Sequence, residues 1–332
     1  MRIGIVGAGF MGVTHAAAWA NTPVQIAGVT SQDPESTRAL AQQYGAQICD
    51  DLTNLIDAVD VVDICTPTHL HHEMVLQAAA AGKHIVCEKP LARTVSEAQE
   101  MITACRDAGV MLLVAHVVRF FPEYAAAKAA VERGEIGKVA VVRLTRASFR
   151  PGADDSWFHD HDKSGGMMLD LMIHDFDYAR WVAGDVESVF AKNVSSKNGP
   201  QGEDYGLAIL RHKSGVLSHV EGGWAYPKPM FRTALEIAGD RGLIEHPAGS
   251  SAPLGIFMKG GASADEADIA VPRSLLAEDP YTTQLRHFYA ALSGEPVDLR
   301  VTAYDGLAAL RIALAAIESA RMGRRVTIEE IN

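Results

Sequence analysis

Cysteine is scarce in this chain: four in 332 residues, Cys49, Cys65, Cys87 and Cys105, with no C-x-x-C pair among them. Set in apolar strand-like or helical stretches, they read as buried free thiols in a reducing compartment, which argues against a disulfide framework or a cysteine zinc cluster. Positive charge is also short. Lys and Arg total 30 against 41 Asp and Glu, so the net charge of −11 repels nucleic acid and anionic lipid, and any bound anion must be held by a local site. No apolar run approaches the length that spans a bilayer, and Met1 leads straight into an apolar strand without a signal-peptide pattern. The expectation is a soluble cytoplasmic protein with no nucleic-acid or membrane partner. Internal repeats and low-complexity tracts are lacking too. What is present is globular material, 48% apolar and long enough for about two domains.

The first twelve residues carry the strongest pattern. Residues 2–6 form an apolar strand that runs into Gly7-x-Gly9-x-x-Gly12 and then into an alanine-rich helix. Gly7 permits the tight turn, Gly9 lets a pyrophosphate approach the backbone, and Gly12 lets helix and strand pack closely. The helix start, with Phe10 and Met11, offers free N–H groups to the anion. Such spacing arises by chance in a chain with 29 glycines; the strand before and the helix after make it a dinucleotide signature. A second strand at 24–30 ends on Thr30-Ser31-Gln32. Asp33-Pro34-Glu35 then reads as the N-cap, first-turn proline and acidic first turn of a helix that reaches Tyr44 and stops at Gly45. A carboxylate after the second strand usually takes the ribose hydroxyl and repels a 2′-phosphate. Ser31 cannot repel a phosphate and can donate to one, which favours NADP over NAD. Asp33 stays open as the alternative ribose acceptor, with Arg38 on the helix behind it.

Strand and helix go on alternating, with strands at 46–49, 61–65, 84–87 and 110–117 and helices at 52–58, 69–81 and, behind the capping box Thr94-x-x-Glu97, up to Gly109. The strand at 61–65 reads as apolar on both faces, the mark of a parallel sheet covered by helices. In a doubly wound sheet, ligands gather outside the carboxyl ends of the strands. The glycine loop, Ser31 with Gln32, Thr66-Pro67-Thr68, His71, Glu88-Lys89-Pro90 and Arg119 all follow strands, and they are the candidate cofactor contacts. His69, His71 and His72 read as a loop and helix start, not as metal ligands; no metal is expected, and His71 alone takes a cofactor-side part. Most lysines are solvated surface residues. Lys89, at the end of an apolar strand between a carboxylate and a backbone-restricting proline, is placed for more.

From about residue 123 the alternation stops. A helix at 123–134 and a long strand at 138–149 precede strands near 186–195, 203–211, 215–224, 231–237 and 242–245. Turn signals at Lys197-Asn198-Gly199-Pro200, Lys213-Ser214-Gly215 and Gly239-Asp240-Arg241-Gly242 separate them, which describes an open, mostly antiparallel sheet. Helices at 281–292 and 303–322 and a short strand at 325–329 close the chain, and Gly260-Gly261-Ala262-Ser263 marks a mobile loop. The fold class is therefore α/β: a Rossmann doubly wound parallel sheet over 1–120 and an α+β substrate and oligomerisation domain over 121–332. An exposed apolar sheet face needs cover, which predicts a homodimer or homotetramer through this C-terminal sheet. One segment departs from the strands. Gly165-Gly166 opens a stretch read as a single helix on to Trp181, where Asp170 and His174 share a face with Asp177 a turn further on. A helical Asp–His pair is common on a solvated surface; the apolar flank of Met168, Leu171, Met172 and Ala179 points to burial in a cleft, where such groups act as acid, base and orienter.

Together these marks resemble those of the glucose–fructose oxidoreductase, inositol dehydrogenase and MocA family of nicotinamide-dependent oxidoreductases. The resemblance rests on Gly7-x-Gly9-x-x-Gly12, Thr66-Pro67-x-x-x-His71, Glu88-Lys89-Pro90-Leu91, Arg119-Phe120 with Pro122, Gly134-Glu135-Ile136-Gly137-Lys138-Val139, and Gly165-Gly166 leading to Asp170-x-x-x-His174. It covers the chain from Met1 to the segment 303–323. Ile173-His174-Asp175-Phe176-Asp177 looks similar to inositol and related polyol dehydrogenases. Ser31 departs from the Asp that many members carry, and Ala115-His116-Val117-Val118 stands where an asparagine is common. The resemblance implies an NAD(P)-dependent enzyme acting on a CH–OH group of a cyclic polyol or sugar, with Lys89, Asp170 and His174 catalytic. His174 is then the general base, its ordinary pKa of about 6.5 suiting proton transfer at neutral pH. Lys89 holds the substrate oxygen and stabilises a developing alkoxide, and Asp170 accepts a neighbouring hydroxyl. Which of Lys89 and His174 takes the proton first stays open. Arg119, Trp157, Phe158 and Tyr281 are the further candidates for lining the sugar pocket. Two other functions compete: a redox-assisted glycoside hydrolase or lyase that regenerates its nucleotide, and a non-catalytic dinucleotide-sensing regulator, against which Lys89, Asp170 and His174 argue.

Overall fold

The structure of the protein, a computed structural model, describes residues 1–153, 156–195, 204–246 and 279–332. Its first half alternates as the hydrophobic pattern dictates: β1 (Arg2–Val6), α1 (Phe10–Trp19), β2 (Gln25–Thr30), α2 (Pro34–Tyr44), β3 (Gln47–Ile48), α3 (Leu52–Ala58), β4 (Val61–Ile64), α4 (His71–Ala80), β5 (His84–Glu88), α5 (Val95–Asp107) and β6 (Leu112–Ala115). Helix starts are set by side chains that take up open N–H groups: Asp33 for α2, Asp51 for α3 and the reciprocal Thr94–Glu97 box for α5. The strands pair in parallel in the order β3-β2-β1-β4-β5-β6, so the topological switch point falls between β1 and β4. β6 is shorter than its apolar run. Pairing stops at Ala115, and Val117–Phe120 form a 3-10 turn that is buried by helix packing instead of by the sheet.

The second half holds α6 (Pro122–Glu132), β7 (Val139–Ser148), α7 (His161–Ser164), α8 (Gly166–Asp170), α9 (Ile173–Ala183), β8 (Val186–Val194), β9 (Tyr205–His212), β10 (Leu217–Gly223), β11 (Phe231–Gly239), β12 (Leu243–His246), α10 (Pro280–Leu292), α11 (Ala303–Met322) and β13 (Val326–Thr327). Among the described residues its seven strands form one sheet, β12-β11-β7-β10-β9-β8-β13, antiparallel throughout except that β7 and β10 run parallel. Strand alternation sorts the two faces. Val142, Ile237, Leu210 and Val189 share a buried row, while Leu243, Ala238, Val141 and Leu217 lie side by side on the opposite face, where Leu243 and Leu217 are exposed.

The stretch from Gly165 to Trp181 is not the single helix its composition suggests. Gly165 and Gly166 both take left-handed φ values, 79° and 78°, α8 ends at Asp170, and α9 starts at Ile173. At the join the Met172 N–H reaches back five residues to the Met167 carbonyl (3.2 Å), and the Asp175 N–H only three, to that of Met172 (3.0 Å), so one turn widens and the next tightens. Asp170 and His174 therefore belong to two helices, and a spacing of four does not put them on one helical face.

Contacts divide the chain into two compact units. The first is Met1–Phe121 with the described part of Ser274–Leu307, and the second is the described part of Pro122–Arg273 with Ala308–Asn332. The sequence assigns all of 121–332 to the second domain; α10 instead belongs to the first, packed on α1 and on the 117–120 turn, with Phe288 edge-on to Phe120 at 6.1 Å. An amphipathic stripe does not name the surface it will cover. The turn signal at Lys197-Asn198-Gly199-Pro200 and the loop at Gly260-Gly261-Ala262-Ser263 lie outside the described residues. The four cysteines are free thiols, and among the described residues no helix is long and apolar enough to cross a membrane.

Candidate active site

The N-terminus of α1 is open. Gly9 stands at its cap position and, among the described residues, no side chain caps the helix, in contrast to α2, α3 and α5. The three glycines of the loop are there for different reasons. Gly7 sits at φ 100°, where a Cβ would come within 2.6 Å of the Cys65 carbonyl oxygen, and a Cβ on Gly12 would collide with the Gly7 carbonyl. Among the described residues, a Cβ on Gly9 would meet nothing within 4 Å. Their packing thus accounts for Gly7 and Gly12 and not for Gly9. An unblocked backbone at the positive end of a helix fits the pyrophosphate of a dinucleotide, with Phe10 and Met11 half-buried in the turn that would hold it.

Ser31, half-buried, and Gln32, exposed, follow β2. Asp33 is taken up elsewhere: its carboxylate accepts from the Ser36 hydroxyl and from the N–H groups of Ser36 (3.1 Å) and Glu35 (3.3 Å). The Ser36 contacts also hold its pKa below the usual value. It caps α2. Thr66-Pro67-Thr68 leaves β4, with Thr68 buried, and His71 laces this loop to the next one. The His71 ring is fully buried, with Nε2 2.9 Å from the Thr66 carbonyl oxygen and Nδ1 2.9 Å from that of Pro90. Burial pushes its pKa down. His71, expected from the sequence as a cofactor-side contact, braces the exits of β4 and β5 against each other.

Lys89 follows β5, half-buried, and its backbone N–H donates to Glu88 Oε2 at 3.0 Å. Behind it lies a row of buried ionisable groups. Glu88 Oε1 is 3.2 Å from His15 Nε2, a charge contact whose angle falls short of a well-aligned hydrogen bond. On the far side, His15 Nδ1 lies 3.0 Å from both Asp63 oxygens, and the Trp19 indole N–H donates to Asp63 at 2.7 Å. Burial alone would strip the proton from His15; the Asp63 carboxylate overrides it and holds the imidazole pKa well above its ordinary value. Burial pushes the Cys65 thiol, 3.4 Å from His15 Nδ1, up to about 12, so it stays neutral. Burial also opposes charge on Glu88, but contact with His15, and after it the charge of Lys89, keeps this carboxyl below its usual range. The sequence reading passes over His15 and Asp63, although a signal exists. Asp63 interrupts Val61-Val62-x-Ile64, a strand read as apolar on both faces, and a buried carboxylate needs a partner. Gly12, His15, Ala16 and Trp19 stand at i, i+3, i+4 and i+7, the inner face of α1.

Arg119 and Tyr281, both expected at the ligand, lie in the packing of the first unit. Arg119 is 2% exposed, with Nη1 donating to the Arg300 carbonyl (2.7 Å) and Nη2 paired with Asp305 (3.3 Å). Arg300 in turn donates to the Arg119 carbonyl (3.2 Å) and lays its guanidinium over the Phe120 ring (4.8 Å). The guanidinium expected to meet cofactor and substrate is a strut between the end of β6 and the returning chain. Tyr281, on α10, is buried with its ring 6.5 Å from that of His15.

In the second unit Asp170 is buried at the end of α8, and His174 is half-buried in the first turn of α9. A buried ion pair pins α9 to the sheet: Arg146 on β7 donates from Nε and Nη2 to Asp175 at 2.7 and 3.1 Å, and neither side chain is more than 3% exposed. Trp157 and Phe158 stack on one another on the 3-10 turn Trp157–His159, ring centroids 4.1 Å apart.

Residues 1–116 match the model of an oxidoreductase family with an NAD-binding Rossmann fold, and residues 124–245 match the GFO/IDH/MocA C-terminal domain. The chain belongs to the GFO/IDH/MocA oxidoreductase family. It is 32% identical over 350 residues to the myo-inositol 2-dehydrogenase of Thermotoga maritima, covering 100% of this chain and 99% of that one. It is 33% identical over 276 residues to the 1,5-anhydro-D-fructose reductase of Ensifer adhaerens, covering 82% and 80%. Among solved structures, levoglucosan dehydrogenase in complex with NADH and levoglucosan matches with a TM-score of 0.82 at 26% identity over 99% of both chains. As a member of the GFO/IDH/MocA family, the protein is an NAD-binding oxidoreductase, and the open α1 terminus at Gly9 is where its own residues suit that nucleotide.

Proposed function

We propose that this oxidoreductase oxidises a secondary alcohol of a cyclic polyol or sugar, exchanging a hydride reversibly with NAD or NADP. The observation that carries the reading is that an uncapped α1 terminus, at a glycine that packing does not require, and Lys89 both follow the carboxyl ends of strands in one doubly wound sheet. Relatives named for myo-inositol, levoglucosan and 1,5-anhydro-D-fructose support the substrate class. A bound nicotinamide would supply the acceptor for the hydride of the alcohol carbon. The chain's own share is placement and charge. Lys89, as ammonium, holds the reacting oxygen and stabilises the charge that develops on it; His174 accepts the hydroxyl proton; Asp170 accepts a hydrogen bond from a neighbouring hydroxyl and so orients the ring. Trp157 and Phe158 offer apolar faces to the sugar. The test is the absorbance of reduced nicotinamide, followed with both nucleotides against a panel of inositols and common sugars. Reduced nucleotide accumulating in step with product is expected. Product release without net reduction would replace this reading with a redox-assisted hydrolase or lyase.

Ser31 supports NADP as the preferred form. With Asp33 engaged in the α2 cap, Ser31 is the side chain at the end of β2 left to meet the 2′ position, and Arg38 follows on α2. Ser31→Asp is expected to move the NAD/NADP ratio of kcat/KM toward NAD by about tenfold or more, each tenfold step being about 1.4 kcal/mol. An unchanged ratio would mean that position 31 does not set the preference.

A second copy of the chain is the proposed cover for the outer sheet face. Leu243, Ala238, Val141 and Leu217 form one apolar row there, and Phe190, itself exposed, stands opposite Ile209 on the same face. Light scattering at working concentration is expected to return the mass of a dimer or tetramer; a monomer would contradict this. Four free thiols suit a reducing compartment, and the cytoplasm is the proposed location.

A further inference from the structure

Four charges of alternating sign run in single file through the first unit: Asp63 on β4, His15 on α1, Glu88 at the end of β5, and Lys89 beside it. We propose that His15 is a positioning residue for Lys89: gripped between Asp63 and Glu88, it keeps Glu88 ionised and turned onto the Lys89 N–H, and so sets where the Lys89 side chain departs. This rests on the reading of Lys89 as the group that holds the reacting oxygen.

Geometry alone assigns the charge on His15. A carboxylate oxygen faces each ring nitrogen, 3.0 Å from Nδ1 and 3.2 Å from Nε2, and a neutral imidazole would meet one of the two with a lone pair. Two facing anions favour the imidazolium, which donates from Nδ1 to Asp63 and meets Glu88 as a charge contact. The other ionisable groups at the row do not compete with it. Cys65 and Cys87 are thiols that burial pushes up, Cys65 to about 12, and burial pushes the pKa of His71 down, against the Glu88 charge that raises it. Tyr281 borders His15 through its ring. The charges that act on Lys89 from this side are thus those of Glu88, His15 and Asp63 in turn. Stability does not account for them. Apolar side chains of similar volume would fill the same space without taking three ionised groups out of water, and such replacements are often neutral or stabilising.

The consequence for Lys89 is one of placement. Glu88 Oε2 fixes the Lys89 N–H from which the side chain departs. Without His15, Glu88 would face Asp63 across a buried gap with no cation between them, would take up a proton, and would lose its hold on the direction of Lys89.

The test uses His15→Gln and the isosteric Glu88→Gln, with the double variant Asp63→Asn, His15→Gln as a third route that removes a buried anion and cation together. In the nucleotide-free protein at neutral pH, lysines carrying 13C-labelled methyl groups are observed by NMR, and Lys89→Arg identifies the Lys89 resonance by its disappearance. The Lys89 resonance is expected to shift and broaden in all three variants. With it kcat at neutral pH should fall by about tenfold, with nucleotide Kd within about twofold of the parent. A Lys89 resonance and a kcat that do not change in folded variants would overturn the proposal. Were Lys89→Ala itself to turn over normally, the catalytic reading of Lys89 would fall separately, and the NMR resonance would still decide whether His15 governs its placement.

Discussion

Turnover by the Lys89→Ala variant is expected to fall by about 10²–10³ or more, the effect of removing one donor aimed at charge that develops on an oxygen in the transition state. Nucleotide affinity should persist. The groups suited to the pyrophosphate are backbone N–H groups at the start of α1, and truncating the Lys89 side chain leaves the Gly7-to-Gly12 turn and its packing against the β4 exit unchanged. The fold should persist as well, since the Lys89 side chain is half-exposed and the residue is tied to Glu88 through its backbone N–H. Lys89→Arg should restore only part of the rate, because a planar fork does not place its charge where a compact ammonium does. Steady-state kcat and KM, nucleotide Kd by fluorescence and a thermal melt distinguish these effects. Turnover equal to the parent's would remove Lys89 from the mechanism.

The largest effect on stability is expected at Arg146→Ala. Asp175 would be left as a carboxylate inside the second unit without the two guanidinium bonds that now hold it, and removing one partner of such a pair costs about 3–5 kcal/mol. For a protein of this size that corresponds to a fall in Tm of about 4–7 °C. The activity readout is informative too. Asp175 adjoins His174 in the first turn of α9, so the proposed base should lose its anchorage and kcat should drop before the protein melts. Replacing both partners, Arg146→Met with Asp175→Leu, should recover most of the stability, because no charge is then stranded. A single variant that melts within a degree or two of the parent would show that the pair carries little of the second unit's stability.

Features set by neighbours in sequence were legible, and features set by distant partners were not. Asp33, Pro34 and Gly45 bracket α2, and Thr94 with Glu97 opens α5, because caps are satisfied by groups within one turn. The glycine loop was readable for the same reason. The break between α8 and α9 was not: Gly165 and Gly166 announced a start, but the widened turn at Met172 depends on hydrogen bonds that no residue type specifies. Arg119 looked like a ligand contact because it follows a strand; its burial depends on Arg300 and Asp305, nearly two hundred residues away. Asp63 was hidden by its neighbours, since three apolar residues around a single carboxylate still average to an apolar strand.

The strut between Arg119 and the residues around 300 bears on how the protein is made. A ribosome releases the first 121 residues long before it reaches Asp305, so the early sheet must wait in the nascent chain with the Phe120 edge uncovered and the Arg119 guanidinium without these partners. Maturation of the nucleotide-binding half is thus deferred until Arg300 and Asp305 have been made, and a gene fragment cut at the apparent domain border would encode an unfinished body.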